Sequence, residues 1–249
     1  MIFAQLFEPV SSTYTYLLGC EETGLAVLVD PVMPAWQRDL AEVRSRGLTL
    51  AYTVDTHIHA DHITSALQLR REAGSRIANA AGDDLPCTDV GLAEGIPLQA
   101  GGIRLDPLHT PGHTENHLSL VCGDRVFTGD ALLIDGCGRT DFQNGDARTL
   151  YDSVRHKLFA LPGETRVLPA HDYQGRLEST IAREREANSR LGGKRTVEEF
   201  VAIMAELGLP YPTFIDHAVP GNRLCGVCPG DLPEDLAKYC APMEQSRQG

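Results

Sequence analysis

Eight consecutive residues, Asp55-Thr56-His57-Ile58-His59-Ala60-Asp61-His62, constrain this chain more than any other stretch. The run before them, Leu48 to Val54, is apolar with β-branched residues and reads as a buried strand. The run after them, Ile63 to Ala73, carries apolar residues at helical spacing and stops at Gly74. The cluster therefore falls where a strand hands over to a helix, the usual place for a site in a layered α/β domain. Three imidazoles and two carboxylates at this density point to a transition metal. A polar loop that is merely rich in His is the plainer alternative. With nine His in the chain, His-x-His-x-Asp-His arises by chance in roughly one such sequence in a thousand.

Later parts of the chain repeat the strand-then-ligand order. Ser12 to Leu18 is β-rich, Glu21 to Gly24 is a turn, and Leu25 to Val29 is the return strand, ended by Asp30-Pro31. Residues 1–56 thus read as strands in hairpin order, with a helix over 36–46 that stops at Gly47. Further on, Arg76 to Ala78 and Ile103 to Leu105 are short strands. Pro111-Gly112 forces a turn that presents His113 beyond a strand end. Residues 117–122 and 125–129 flank Gly123-Asp124 as a hairpin. Gly129 lets the backbone bend so that Asp130 can point into a site. Arg166 to Ala170 is a strand that ends at His171-Asp172. Alone, His113, Asp130 or His171 would read as a turn residue; in series after the dense cluster, they favour one shared site.

Composition narrows the partners. A net charge of −12 without a basic run argues against nucleic acid. No apolar stretch approaches the roughly 20 residues of a membrane span, so no membrane partner is expected. The first residues lack a basic region followed by an apolar core, so no secretory signal is expected and a cytoplasmic location is. Seven cysteines, an odd number without framework spacing, predict free thiols in a reducing compartment. Residues 174–209 read as two helices. Thr196-Val197-Glu198-Glu199 matches a capping box, and Phe200, Val201, Met204, Leu207 and Leu209 form an apolar face suited to core packing or a dimer contact, with core expected.

With Thr56-His57-Ile58-His59-Ala60-Asp61-His62 followed by His113, Asp130 and His171, the sequence resembles the metallo-β-lactamase superfamily along its whole length. The resemblance implies an α/β (α+β) fold, an αββα sandwich of two mixed sheets flanked by helices, as a single domain over 1–249 with 174–249 as a helical extension. A finer resemblance lies in Gly136-Cys137-Gly138-Arg139-Thr140-Asp141-Phe142-Gln143, which is similar to the persulfide dioxygenase (ETHE1-like) family. Phe7-Glu8-Pro9-Val10-Ser11-Ser12-Thr13-Tyr14-Thr15-Tyr16, Leu168 to Tyr173, and Ala218 to Asn222 with Cys225-Gly226-Val227 share that similarity. Cys228 and Cys240, in a tail of Pro, Asp and Glu, fall outside the pattern.

The seven donors could hold two metals, with His57, His59 and His113 in one set, Asp61, His62 and His171 in the other, and Asp130 between them. The dioxygenase resemblance implies instead one Fe(II) per chain on His57, His113 and Asp130, which leaves three positions on one face for substrate and O₂. His59, Asp61, His62 and His171, with Asp55 as a further candidate, then orient the ligands and a water by hydrogen bonding. The implied reaction oxidises glutathione persulfide with O₂ and water to sulfite and glutathione. The alternative is a binuclear thioesterase of the glyoxalase II type. Arg139, Tyr173, Asn222 and Cys225 are the expected substrate contacts, with Arg195 and Arg223 weaker. Cys225 could form a mixed disulfide with substrate, and Cys137 is expected near the site edge. A homodimer is expected, and no rhodanese-like domain is expected, so any sulfurtransferase partner is expected to be a separate protein.

Overall fold

Alternate residues of the strand Thr13–Gly19 face two different cores. Tyr14, Tyr16 and Leu18 enter one and Leu17 the other, the period-two rule of an extended chain. A strand buried on both faces requires a layer on each side. In the computed structural model, which describes residues 1–243, both layers are present. The first sheet is six-stranded and follows chain order: Ile2–Glu8 (β1), Thr13–Gly19 (β2), Leu25–Val29 (β3), Thr49–Val54 (β4), Arg76–Ala80 (β5) and Val90–Leu92 (β6). β1 to β3 are antiparallel, as the hairpin reading has it, whereas β3 to β6 run parallel.

The second sheet also has six neighbouring strands in chain order: Leu98–Ala100 (β7), Ile103–His109 (β8), Leu118–Cys122 (β9), Arg125–Gly129 (β10), Arg166–Pro169 (β11) and Ser179–Thr180 (β12). Only β10 and β11 pair in parallel. The sheets face each other across a shared core, where the rings of Tyr16 and Phe127 lie 4.9 Å apart. At one edge they are stitched together, since the Tyr14 amide donates to the Ala170 carbonyl at 2.8 Å.

Helices cover both outer faces. Trp36–Ser45 (α1) and Ala66–Ala73 (α2) bury Leu40, Val43 and Leu69 against Leu17 and Leu28 of the first sheet. Ala147–Ser153 (α3), Ile181–Ala187 (α4) and Val197–Ala205 (α5) bury Leu150, Ile181 and Phe200 against Val126 and Val167 of the second. This is the expected αββα sandwich. The capping box at Thr196 and Glu199 is present, and the apolar face of α5 packs into the core through Phe200. Ile215–Asn222 (α6), which lies in the expected helical extension but is not singled out as a helix by the sequence, packs Ala218 against Met33 and Ile63. Of the expected extension over 174–249, residues 244–249 lie outside the described residues.

Asp39, on α1, is the one acid of this layer placed inside it. Burial pushes its carboxyl up from 3.8 to about 6, against the pull of the Arg38 guanidinium at 2.8 Å. A raised folded value means that the folded state holds the proton more tightly. Stability from this group is therefore full below pH 4 and lost as pH rises through about 6. The interval corresponds to about 3 kcal/mol at most. Asp39→Asn is expected to flatten the fall in urea-unfolding stability between about pH 4 and pH 6 and to be the more stable protein near pH 7.5. An unchanged slope would overturn the assignment.

Candidate metal centre

Strand ends deliver each donor. The cluster begins one residue after β4, His113 follows β8 and its Pro-Gly turn, Asp130 follows β10 directly, and His171 stands two residues after β11. Ligand atoms of His57, His113 and Asp130 all lie within 4.8 Å of one another. The Nδ1–H of His57 donates to Thr56 Oγ1 at 2.9 Å, and that hydroxyl donates on to Asp30 Oδ2 at 3.0 Å. The Nδ1–H of His113 donates to the Arg139 carbonyl at 2.7 Å. Both rings are thus fixed in the tautomer that leaves Nε2 as a free lone pair. Burial, reinforced by the neighbouring His59 and His113, pushes His57 well below the ordinary imidazole value, so it is neutral. Oδ1 of Asp130 is buried without a hydrogen-bond partner. Two neutral imidazoles and an unpaired buried carboxylate oxygen form a donor set that a cation satisfies.

The remaining donors are contiguous with this set. His59, Asp61 and His62 also approach within 4.8 Å, and His59 Nδ1 and His62 Nε2 are buried and unpaired. Burial opposes protonation of His59, but the Asp30 carboxylate, 3.1 Å from its Nε2, pushes it up to about 9. Burial would raise Asp61, yet His62 and His171 hold it well below the usual carboxylate range. His171 donates from Nδ1 to the Ser12 carbonyl at 3.1 Å, and its Nε2 lies 3.5 Å from Asp61 and 3.6 Å from Asp130. Asp55 groups with Asp30 and His59 and accepts from Thr64 Oγ1 at 2.9 Å; burial pushes it up to about 7.

Three residues shape the site without figuring among the expected ones. His117 is fully buried, and its Nε2 accepts the backbone N–H of Asp130 at 3.1 Å, while its Nδ1–H donates to Thr110 Oγ1 at 3.0 Å. Its signal was a second imidazole four residues after His113. Asp30, which reads in sequence as a strand terminator, accepts the Thr56 amide at 2.7 Å and so braces the start of the cluster. Gly138 lies so close that a Cβ there would sit 2.6 Å from the Asp130 carbonyl and 2.7 Å from His113 Nδ1, which accounts for the second Gly of Gly-Cys-Gly.

The metallo-beta-lactamase superfamily model matches residues 9–171. Human mitochondrial persulfide dioxygenase ETHE1 is 46% identical over 235 residues, covering 91% of this chain and 89% of that protein. The crystal structure of ETHE1 from Myxococcus xanthus, 50% identical, aligns with a TM-score of 0.89 over 91% of this chain and 100% of its own. This chain belongs to the persulfide dioxygenase family of the metallo-β-lactamase superfamily. Its likeness to the hydroxyacylglutathione hydrolase of Cereibacter sphaeroides is narrower, 36% over 168 residues and 64% of that hydrolase.

Within the persulfide dioxygenase fold, the residues expected to touch substrate divide. Tyr173 is 76% exposed and lies parallel to the His171 ring at 6.0 Å, at the mouth of the site. Arg139 lines a cavity of about 220 Å³ with Met204, Leu207 and Leu209, although its guanidinium is engaged by Asp141 and the Pro210 carbonyl. Asn222 requires correction. Its amide is consumed inside the protein, donating to the His59 and His62 carbonyls at 2.9 and 2.8 Å and accepting from the Thr64 amide at 2.9 Å. It braces the cluster and has no group left for a ligand. Cys225 is likewise corrected, since it is buried and bonded to Cys87.

The expectation of free thiols fails for four of the seven cysteines. Cys228 pairs with Cys240, so Cys225 and Cys228 each bond elsewhere, and Cys20, Cys122 and Cys137 alone are free among the described residues. Cys87 and Cys225 are 138 residues apart, a separation that local spacing cannot reveal. Cys137 is buried against Met204 and burial pushes its thiol up to about 11, which suits a packing role. Arg195 is tied to the Ser189 carbonyl before α5, and Arg223 caps α6 through its backbone N–H to the Val219 carbonyl at 3.0 Å, with no side-chain hydrogen bond among the described residues.

Proposed function

We propose that this protein is a glutathione-dependent persulfide dioxygenase that works with one ferrous ion on His57, His113 and Asp130. The observation that carries the reading is the donor triad itself, two imidazoles locked by their Nδ1–H groups beside an unpaired buried carboxylate oxygen, in a chain of this family. Two His and one carboxylate suit ferrous iron, which would supply redox chemistry and open positions for sulfur and O₂ together. The balance is one persulfide anion, one O₂ and one water going to one sulfite, one glutathione thiol and one proton.

The chain's own residues hold the reactants and handle the proton. The persulfide anion enters past Tyr173. Asp61, His62 and His171 wall the open side, and His171 Nε2, 3.5 Å from Asp61 Oδ2, is placed to pass the released proton. Fixing both reactants in one buried site replaces an improbable encounter in solution. Glutathione carries carboxylates while the protein carries a net charge of −12, so the cavity at Arg139 is the place for a local cation, with a substrate carboxylate replacing Asp141 on the guanidinium.

The test joins elemental analysis to oxygen uptake. Iron-loaded protein is expected to hold about one iron per chain and to consume O₂ with glutathione persulfide while releasing sulfite. About two zinc ions per chain with hydrolysis of S-lactoylglutathione, and no oxygen uptake after iron loading, would sink the dioxygenase reading in favour of the thioesterase.

A further inference from the structure

Phe142 to Gly145 form a tight turn in the segment that follows Asp130. The Gly145 amide donates to the Phe142 carbonyl at 2.7 Å, and the residues between them, Gln143 and Asn144, stand at φ +51° and +56°. Positive φ at both central positions marks a type I′ turn, which Asn-Gly, Asp-Gly or Gly-Gly builds with least strain. Glutamine is a poor residue for the first of these positions, and a strained backbone persists only where its surroundings hold it. Here a long-range tie does so. The Gln143 Nε2–H donates to the Ile58 carbonyl at 2.8 Å.

That carbonyl belongs to the donor cluster. From His57 to His62 the chain makes no backbone-to-backbone hydrogen bond among the described residues, and side-chain amides hold it instead. Asn222 takes the carbonyls of His59 and His62, and Gln143 takes the carbonyl of the buried Ile58, which has no other partner among the described residues. The remaining ties of 138–145 run elsewhere. The Gly138 amide donates to the Asp130 carbonyl, the Arg139 carbonyl accepts from His113, Asn144 donates to Glu115, and Arg139 donates to the Pro210 carbonyl. Gln143 thus makes the one hydrogen bond, among the described residues, from this segment to the cluster carried by the first sheet. The residues that lead into the turn hold the Arg139 guanidinium. Asp141 accepts from it at 2.6 and 2.7 Å, and the Phe142 ring lies 4.5 Å beneath it.

We propose that Gln143 is a positioning residue for substrate specificity, which pins the Phe142–Gly145 turn to the Ile58 carbonyl and so sets where the Arg139 guanidinium stands relative to the metal centre. The inference rests on the glutathione reading of the Arg139 cavity. One substrate molecule must span the guanidinium and the centre, so a fixed separation selects a persulfide whose carboxylate reaches that far. Phe142 keeps the guanidinium in place when a substrate carboxylate takes over from Asp141. With the tie cut, the turn and the Phe142 ring drift, and the carboxylate gains less from the cation. A persulfide without a carboxylate uses the centre alone and does not sense the change.

Two substitutions separate the tie from the turn. Gln143→Asn suits positive φ better but is one methylene too short for the Ile58 carbonyl, and Gln143→Glu keeps the reach but has no N–H to donate. Metal-free protein is titrated calorimetrically with glutathione. Iron-loaded protein is assayed with glutathione persulfide and with an alkyl persulfide that carries no carboxylate. Both variants are expected to bind glutathione about tenfold more weakly and to raise the KM for glutathione persulfide about tenfold, with kcat within about twofold. Iron stays at about one per chain, and the alkyl persulfide is turned over as by the wild type. Asn144→Gly, which keeps positive φ and gives up only the contact with Glu115, is expected to match the wild type throughout. Unchanged glutathione affinity in both Gln143 variants would overturn the assignment. So would equal losses with both persulfides, since Gln143 would then serve the metal centre or the fold at large. If wild-type protein binds glutathione, both variants lose that affinity and no oxygen is consumed, the dioxygenase reading fails and Gln143 keeps its role.

Discussion

His113→Ala is expected to abolish both iron retention and oxygen uptake. The imidazole is one of only three donors to the proposed ion, and it is preset, its Nδ1–H held at 2.7 Å by the Arg139 carbonyl and its Nε2 3.5 Å from Asp130 Oδ2. Alanine removes the lone pair, leaves the Arg139 carbonyl without its donor and opens a void beside Gly138. A water in the gap is neither fixed nor desolvated. Iron is expected to drop below about a tenth per chain after desalting, and kcat/KM with glutathione persulfide to fall at least about 1,000-fold, or about 4 kcal/mol. His62→Ala is the comparison: it removes a donor of the other set, so iron should stay while turnover falls. If His113→Ala kept its iron and His62→Ala lost it, the ion would belong to the His59, Asp61, His62 group and the present assignment would be wrong.

The sequence carried the donors more clearly than it carried what holds them. His57, His113, Asp130 and His171 were legible because each follows a strand within a few residues, and a strand end or a Pro-Gly turn is a local property that a short window detects. The sandwich is what the family resemblance implies, and the strand runs agree with it without showing it; α6 was not legible, because Pro220 lies inside it and argues against a helix. The supports are non-local. Asn222 reaches His62 across 160 residues, and the Cys87–Cys225 bond spans 138. No periodicity encodes such pairings, so the sequence alone reads Asn222 as a ligand contact and Cys225 as a free thiol. His117 and Asp30 were hidden for another reason. Each stands beside a turn or strand end, where His and Asp are ordinary, and only the folded chain shows Asp30 under Thr56 and His117 under Asp130.

Those hidden supports make Gly129→Ala the most informative single-methyl change. Gly129 has φ +49°, and a Cβ there would lie 2.5 Å from His117 Nε2 and 2.8 Å from Thr56 Oγ1. The first atom holds the Asp130 amide, and the second holds His57 Nδ1. One methyl therefore pushes on the anchors of two proposed ligands from behind, without touching either ligand. Left-handed backbone costs alanine about 1 kcal/mol and overpacking about 1–3 more, so urea unfolding of the metal-free protein should lose about 2–4 kcal/mol. Metal affinity in a competition titration should fall about 10- to 100-fold, the range for losing an orienting partner. Gly47→Ala separates the two effects. Gly47 has φ +68° with nothing within 4 Å of a Cβ, so it should lose only the backbone share and bind metal normally. Equal metal affinity in both variants would mean that His117 and Thr56 do not set the geometry of Asp130 and His57.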